Sequence, residues 1–182
     1  MVAKILPICQ YHDKLNAFIN VHSLFEYGLV SQALCSALKI LIREYILLIN
    51  QLDNEFSKGE LNLQKLWFYV QPSLRIMENL MRIVEETKNL RGGALVSALY
   101  KLMKSATDQQ TLQVYQFLLN KAFMPFCEML SKWVYHGIID DTYEEFLIKE
   151  RKDLTKDNIS TDYKDLYWEK RFTIREDQVI FD

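Results

Sequence analysis

His136, Asp140, Asp141, Glu144 and Glu145 place one imidazole and several carboxylates within a single short segment, the densest gathering of acid–base and metal-binding side chains in the chain. A two-metal carboxylate centre draws such ligands from several helices, with a Glu-x-x-His on two of them. Here they share one segment just past a helical pattern, so the expectation is a solvated turn whose carboxylates cap the next element. Nucleophilic catalysis needs a nucleophile, a base and an orienting group brought together by the fold. Cys127 with His12, His22 or His136 would supply the first two, but Cys127 lies beside Phe126 near an apolar helical stripe and reads as a buried structural thiol. Cys9 and His12 have the spacing of half a zinc site, with no second close pair to complete it. Gly92-Gly93 lacks the Gly-Lys-Ser/Thr ending of a phosphate loop, and no Gly-x-Gly-x-x-Gly occurs. No catalytic, cofactor-binding or metal-ligating residue is expected.

The charge balance points the same way. The 182 residues carry 22 Lys+Arg against 24 Asp+Glu, a net charge of −2. Nucleic-acid binders usually show a basic excess or stripe. Lys149, Arg151, Lys152, Lys156 and Lys164 form a basic run, but Glu145, Glu150, Asp153, Asp157, Asp162 and Asp165 interleave with it, as on a solvated surface. A composition 49% hydrophobic with only 5 Gly and 3 Pro excludes disorder and collagen-like repeats. The 3 cysteines are odd in number and widely spaced, which fits reduced thiols inside the cell. From Leu29 to Leu52 the chain is apolar-rich but interrupted by Gln32, Lys39, Arg43 and Glu44, which makes a core helix and not a membrane span. The expected partners are therefore proteins, with no nucleic acid and no membrane.

Periodicity predicts helix nearly everywhere up to residue 136. Val30, Ala33, Leu34, Ala37, Leu38, Leu41, Tyr45, Leu48 and Leu52 recur at three- and four-residue steps. Ser31 is a cap candidate at its start, and Gly59 supplies a left-handed stop. A helix over 30–56 would be about 40 Å long, the diameter of a compact chain of this size, so an elongated antiparallel bundle is the natural packing. A second helix starts near Leu61 or Leu63 and carries Leu66, Trp67, Val70, Leu74, Met77, Leu80, Met81 and Val84, with Pro72 inside it as a kink or as the first turn of a new helix. Arg91-Gly92-Gly93 punctuates before a short helix. Ser105, Thr107 and Asp108 are cap-type residues ahead of a long pattern from Leu112 to Trp133, which contains Pro125 and ends at Gly137. Beyond it, 145–149 and 171–174 have strand-like composition and are able to pair, with an exposed charged loop over 151–165 between them. The fold class is mainly all-α, an elongated antiparallel bundle with a small β-hairpin-like element near the C-terminus. Residues 1–136 form the bundle, and 137–182 the charged-loop and short-strand part of the same domain. Ile180-Phe181-Asp182 has no closing element after it and is expected to be a cut end.

Aromatic residues remain as carriers of function. Trp67, Phe68 and Tyr69 stand in a row, so on a helix at least one faces away from the core. Trp133, Tyr135, Tyr143, Phe146, Tyr167, Trp168 and Phe172 crowd an otherwise polar region. They serve either a second small core or as anchors for another protein, since Trp and Tyr dominate binding hot spots.

Several blocks closely resemble the gamma-tubulin complex component family. They are Leu6-Pro7-Ile8-Cys9, Phe25-Glu26-Tyr27-Gly28, Ala33-Leu34-Cys35-Ser36-Ala37-Leu38, the run Leu66-Trp67-Phe68-Tyr69-Val70-Gln71-Pro72, Trp133-Val134-Tyr135-His136-Gly137-Ile138-Ile139-Asp140-Asp141, Tyr143-Glu144-Glu145-Phe146, and Leu166-Tyr167-Trp168-Glu169-Lys170-Arg171-Phe172. The Trp-x-Tyr-x-Gly-x-Ile-x-Asp pattern is shared across that family. The resemblance implies a non-enzymatic scaffold without cofactors, located in the cytoplasm at microtubule organizing centres, centrosomes or spindle poles, where such complexes nucleate microtubules. It implies lateral packing against gamma-tubulin complex component 3 and other family components. Gamma-tubulin is held by a C-terminal domain that this stretch does not match. The family-motif and candidate interaction residues are Trp67, Phe68, Tyr69, Pro72, Trp133, Tyr135, Gly137, Ile138, Asp140, Tyr143, Phe146, Tyr167, Trp168 and Arg171. Two other readings are a general helical adaptor without a microtubule role and a metal-dependent enzyme using His136, Asp140 and Glu144.

Overall fold

The computed structural model describes residues 2–151 and 164–176, with the side chains of Val2 and of 164–167 outside that description. In chain order the elements are α1 (Val2–Ile5), α2 (Pro7–His22), a 3-10 turn (Phe25–Tyr27), α3 (Leu29–Ser57), α4 (Leu63–Thr87), α5 (Gly92–Ser105) and α6 (Gln109–His136). They are succeeded by β1 (Ile148–Glu150), α7 (Lys164–Arg171) and β2 (Phe172–Ile174). The expected helical architecture with a small strand pair holds. At 1.5 Å per residue α3 and α6 are each about 42–44 Å long, and α3 packs most extensively on α6.

The main core runs between these helices. Val30, Leu34, Leu38 and Ile42 on α3 are buried at successive four-residue steps, together with Leu15 and Ile19 on α2, Leu80 and Ile83 on α4, Leu95 and Leu99 on α5, and Leu118 and Ala122 on α6. Those spacings put each set on one helical face, and burying such a face supplies most of a helix's stability. Beyond Ile42 the burial of α3 thins out until Leu52. His22 pins α2 to the end of α4: its Nδ1 lies 3.1 Å from the Phe18 carbonyl oxygen and its Nε2 3.0 Å from that of Lys88.

Four helix ends obey local chemistry. Asn62 caps α4 by accepting the Lys65 amide at 2.7 Å, and Asp108 caps α6 by accepting that of Thr111 at 2.9 Å. Past α3, Gly59 adopts φ +73° while the amides of Gly59 and Glu60 donate to the carbonyls of Phe56 and Glu55. That is the paired bonding which satisfies the last carbonyls of a helix through a left-handed residue. Gly137, at φ +67°, closes α6 in the same region of backbone space.

Of the two readings of Pro72, the one with a single helix holds, because α4 runs continuously through it. Three expectations are corrected. Ser31 does not cap α3: it lies in the first turn, its hydroxyl donating to the His22 carbonyl at 3.3 Å, and Gly28 is the cap residue. Lys164 and Asp165 belong to α7, an element the charged composition concealed, whereas 152–163 lie outside the described residues together with Ile180-Phe181-Asp182. Cys127 is exposed, on the side of α6 away from its buried stripe. The strands fall at Ile148–Glu150 and Phe172–Ile174, antiparallel, with Ile148 opposite Ile174 and Glu150 opposite Phe172.

Candidate interaction surfaces

Trp67, Phe68 and Tyr69 lie on the first turns of α4, and the helix fans them apart. Trp67 is half-buried, Phe68 is 72% exposed and Tyr69 38%. The Phe68 and Tyr69 rings meet edge to face at 5.6 Å between centroids. Pro72 is exposed one turn further on. The neighbouring end of α3 is close by, since Lys65 Nζ bridges Glu55 Oε2 at 3.0 Å. That end carries Phe56, 68% exposed, and two to three turns further back α3 also exposes Ile46, Leu47 and Ile49, with Ile46 and Ile49 beside Cys9 and His12 of α2. These two helices therefore present apolar side chains that the fold itself does not cover.

The second aromatic group divides. Phe146 is fully buried against Phe126, Met129 and Ile148, forming a small separate core to which Trp133, Ile139 and Phe172 add partly buried surface. Trp133 meets Phe146 edge-on at 6.2 Å, and Phe126 lies 5.5 Å away. By contrast Tyr135 is 79% exposed, Ile138 is exposed, and Gly137 between them is open to solvent. Trp168, half exposed, stacks on Phe172 at 5.8 Å. Tyr143 is partly buried, and the side chain of Tyr167 is outside the described set. Arg171 donates through Nε and Nη2 to Glu150 Oε1 at 3.1 and 2.6 Å, bracing the two strands.

The acidic segment disperses into structural roles. Asp140 accepts from Lys132 Nζ at 2.7 Å, and that bond holds its carboxyl below the ordinary value. Glu144 accepts from Arg175 Nη2 at 3.2 Å. Asp141 accepts the backbone amides of Glu145 and Phe146 and pairs with Arg175 Nη1 at 2.9 Å. Glu145 points the opposite way, into the bundle, where its carboxylate accepts the amides of Leu29 at 2.6 Å and Val30 at 3.2 Å. Burial raises the Glu145 carboxyl above its ordinary value, and the amide bonds from Leu29, Val30 and Gly92 oppose that rise. Among the described residues no group of three His, Cys, Asp or Glu side chains is arranged to hold a metal ion. No helix among them is long and apolar enough to cross a membrane.

Sequence reasoning put Glu145 both in a solvated turn and at the start of a strand-like run, whereas the strand begins only at Ile148, and it passed over Arg175. A carboxylate ahead of Phe146 was visible, but its target lies more than a hundred residues earlier. Gly28 carried the only local trace: at φ +86°, a Cβ there would collide with the Glu145 carboxylate.

The described residues thus form a bundle of long helices with a small side core and apolar side chains that the fold leaves uncovered. The chain belongs to the gamma-tubulin complex component family, whose N-terminal model, "Gamma tubulin complex component N-terminal", matches residues 1–180. It is 38% identical to gamma-tubulin complex component 2 of Mus musculus over 98% of this chain and 20% of that protein. It is 32% identical to gamma-tubulin complex component 2 of Arabidopsis thaliana over 97% of this chain and 26% of that protein. Against spindle pole body component alp4 of Schizosaccharomyces pombe the identity is 30%, over 98% of this chain and 29% of that protein. The chain thus spans between a fifth and under a third of the length of these relatives.

Proposed function

We propose that this chain is the bundle portion of a non-enzymatic scaffold subunit of the gamma-tubulin complex, which packs side by side with neighbouring components, component 3 first, in the assembly that nucleates microtubules at centrosomes and spindle poles. The observation that carries the reading is the uncovered apolar surface of α3 and α4: Phe68 and Tyr69, with Ile46, Leu47 and Ile49 on the adjoining helix. Large exposed apolar side chains grouped on a folded surface, as Phe68 and Tyr69 are, mark interaction sites. Aromatic anchors concentrate binding energy in a few residues. Stiff helices about 40 Å long also suit a scaffold, because a template must hold its subunits at a set spacing and a rigid lateral face transmits that spacing. The family match over 1–180 supports the assignment to this complex. Tyr135, Ile138 and Trp168 are proposed as a second contact region at the far end of α6.

The test is co-purification with component 3 and, separately, with gamma-tubulin. Replacing both Phe68→Glu and Tyr69→Glu is expected to reduce recovery of component 3 by about tenfold or more, while the helical circular dichroism stays that of the parent. Undiminished recovery of component 3 by the doubly charged variant would sink the proposal for this face.

A further inference from the structure

Glu145 is 1% exposed, yet no cation bonds its carboxylate among the described residues. Its hydrogen-bond partners are the backbone amides of Leu29 and Val30 at the start of α3, and the Gly92 amide at the start of α5 adds a weaker electrostatic pull. The first amides of a helix have no partner within it, and one carboxylate here serves the start of α3 while facing that of α5. Gly28 makes this approach feasible, because any side chain there would occupy the space of the carboxylate.

The other side of Glu145 is tied just as firmly. Its own amide and that of Phe146 donate to Asp141 at 2.8 and 3.0 Å. Asp141 in turn receives Arg175 Nη1, which also reaches the Phe146 carbonyl at 3.3 Å. The Arg175 amide donates to the Leu147 carbonyl at 2.8 Å, directly after β2. Within this loop Glu144 holds φ +59°, a conformation that costs a residue with a side chain and persists only where neighbours enforce it. Arg175 Nη2 grips that same residue.

We propose that this continuous path, from Arg175 through Asp141 and Glu145 to the first turns of α3 and α5, is a conformational latch: residues 137–150 form a strap seated on the bundle by Glu145 and closed by Arg175, so the strand pair and the two helix starts are secured or released together. The latch makes the strand pair sensitive to the bundle, and the reverse. It depends on no particular partner.

Amide hydrogen exchange in the full chain tests it, with Glu145→Gln and Arg175→Met as separate variants. Arg175 makes none of its hydrogen bonds to α3 or α5, so local loosening alone would leave the amides of Leu29, Val30 and Gly92 untouched. The latch instead predicts that Arg175→Met speeds exchange at those three by about tenfold or more, and that Glu145→Gln does the same at Arg151 and Arg175, whose amides bond across the strand pair. Leu38 and Leu118, in the main core, keep their protection. The double variant adds little to either single one, as expected for residues acting as a unit. Loosening confined to each variant's own end overturns the proposal, and so does an equal loss of protection at Leu38 and Leu118. If Glu145→Gln does not fold, Arg175→Met still decides between these outcomes.

Discussion

Cys35 has no exposed surface, and burial pushes its thiol up to about 11, with Lys39 pulling weakly the other way. The thiolate is the reactive form, so at pH 8 Cys35 is both inaccessible and protonated. Iodoacetamide is expected to modify exposed Cys9 and Cys127 in the native chain and to leave Cys35 unmodified until denaturant is added, as mass spectrometry of peptides would show. The pH dependence has a definite sign. A thiol whose folded value lies above its unfolded value of 9.0 favours the folded state fully below pH 9 and loses that contribution as pH rises toward about 11. A Cys35→Ser variant whose stability falls as steeply across that interval would show that another group is responsible. Glu145 carries a second lesson at this scale. A carboxylate in an acidic run reads as surface from sequence, and its burial emerges only when a distant pair of helix starts offers it amides.

Helix periodicity made α3, α4, α5 and α6 legible, because each buries a face at three- and four-residue steps. Asp108, Gly59 and Gly137 act through neighbours within a few positions, and so were readable. The start of α3 was not, since Ser31 has the right chemistry for a cap while the actual acceptor comes from Glu145, far along the chain. Helix α7 was missed for a related reason: Lys164–Arg171 has no broad apolar face to announce it. Local caps should therefore behave locally. Asn62→Ala removes the bond to the Lys65 amide and is expected to lower stability by about 1 kcal/mol, with Asn62→Asp retaining most of it. Urea titration monitored by circular dichroism measures this directly; equal stabilities for the alanine and parent chains would mean that solvent serves the α4 amides just as well.

At the scale of the molecule, two apolar cores share α6: the large one among the bundle helices, and the small one of Phe126, Met129, Phe146 and Ile148. The density of aromatics after residue 132 announced either a second core or a set of anchors, and the structure divides them, with Trp133, Phe146 and Phe172 turned inward and Tyr135 and Ile138 outward. Which side chain took which part was not readable, because it depends on the strand register and on the turn that Arg175 closes. A small core beside a large one should yield first. Phe146→Ala deletes a fully buried ring and is expected to destabilise its surroundings by about 3–5 kcal/mol. Leu38→Ala, in the main core, is expected to cost about 2–5 kcal/mol. The two losses should differ in kind more than in size. With Phe146→Ala, tryptophan fluorescence, which includes Trp133 against that ring, should change at lower urea than helical circular dichroism, since the strand pair and strap come away from a bundle that persists. With Leu38→Ala both signals should shift together to lower urea. Coincident transitions in both variants would mean that the two cores melt as one cooperative unit.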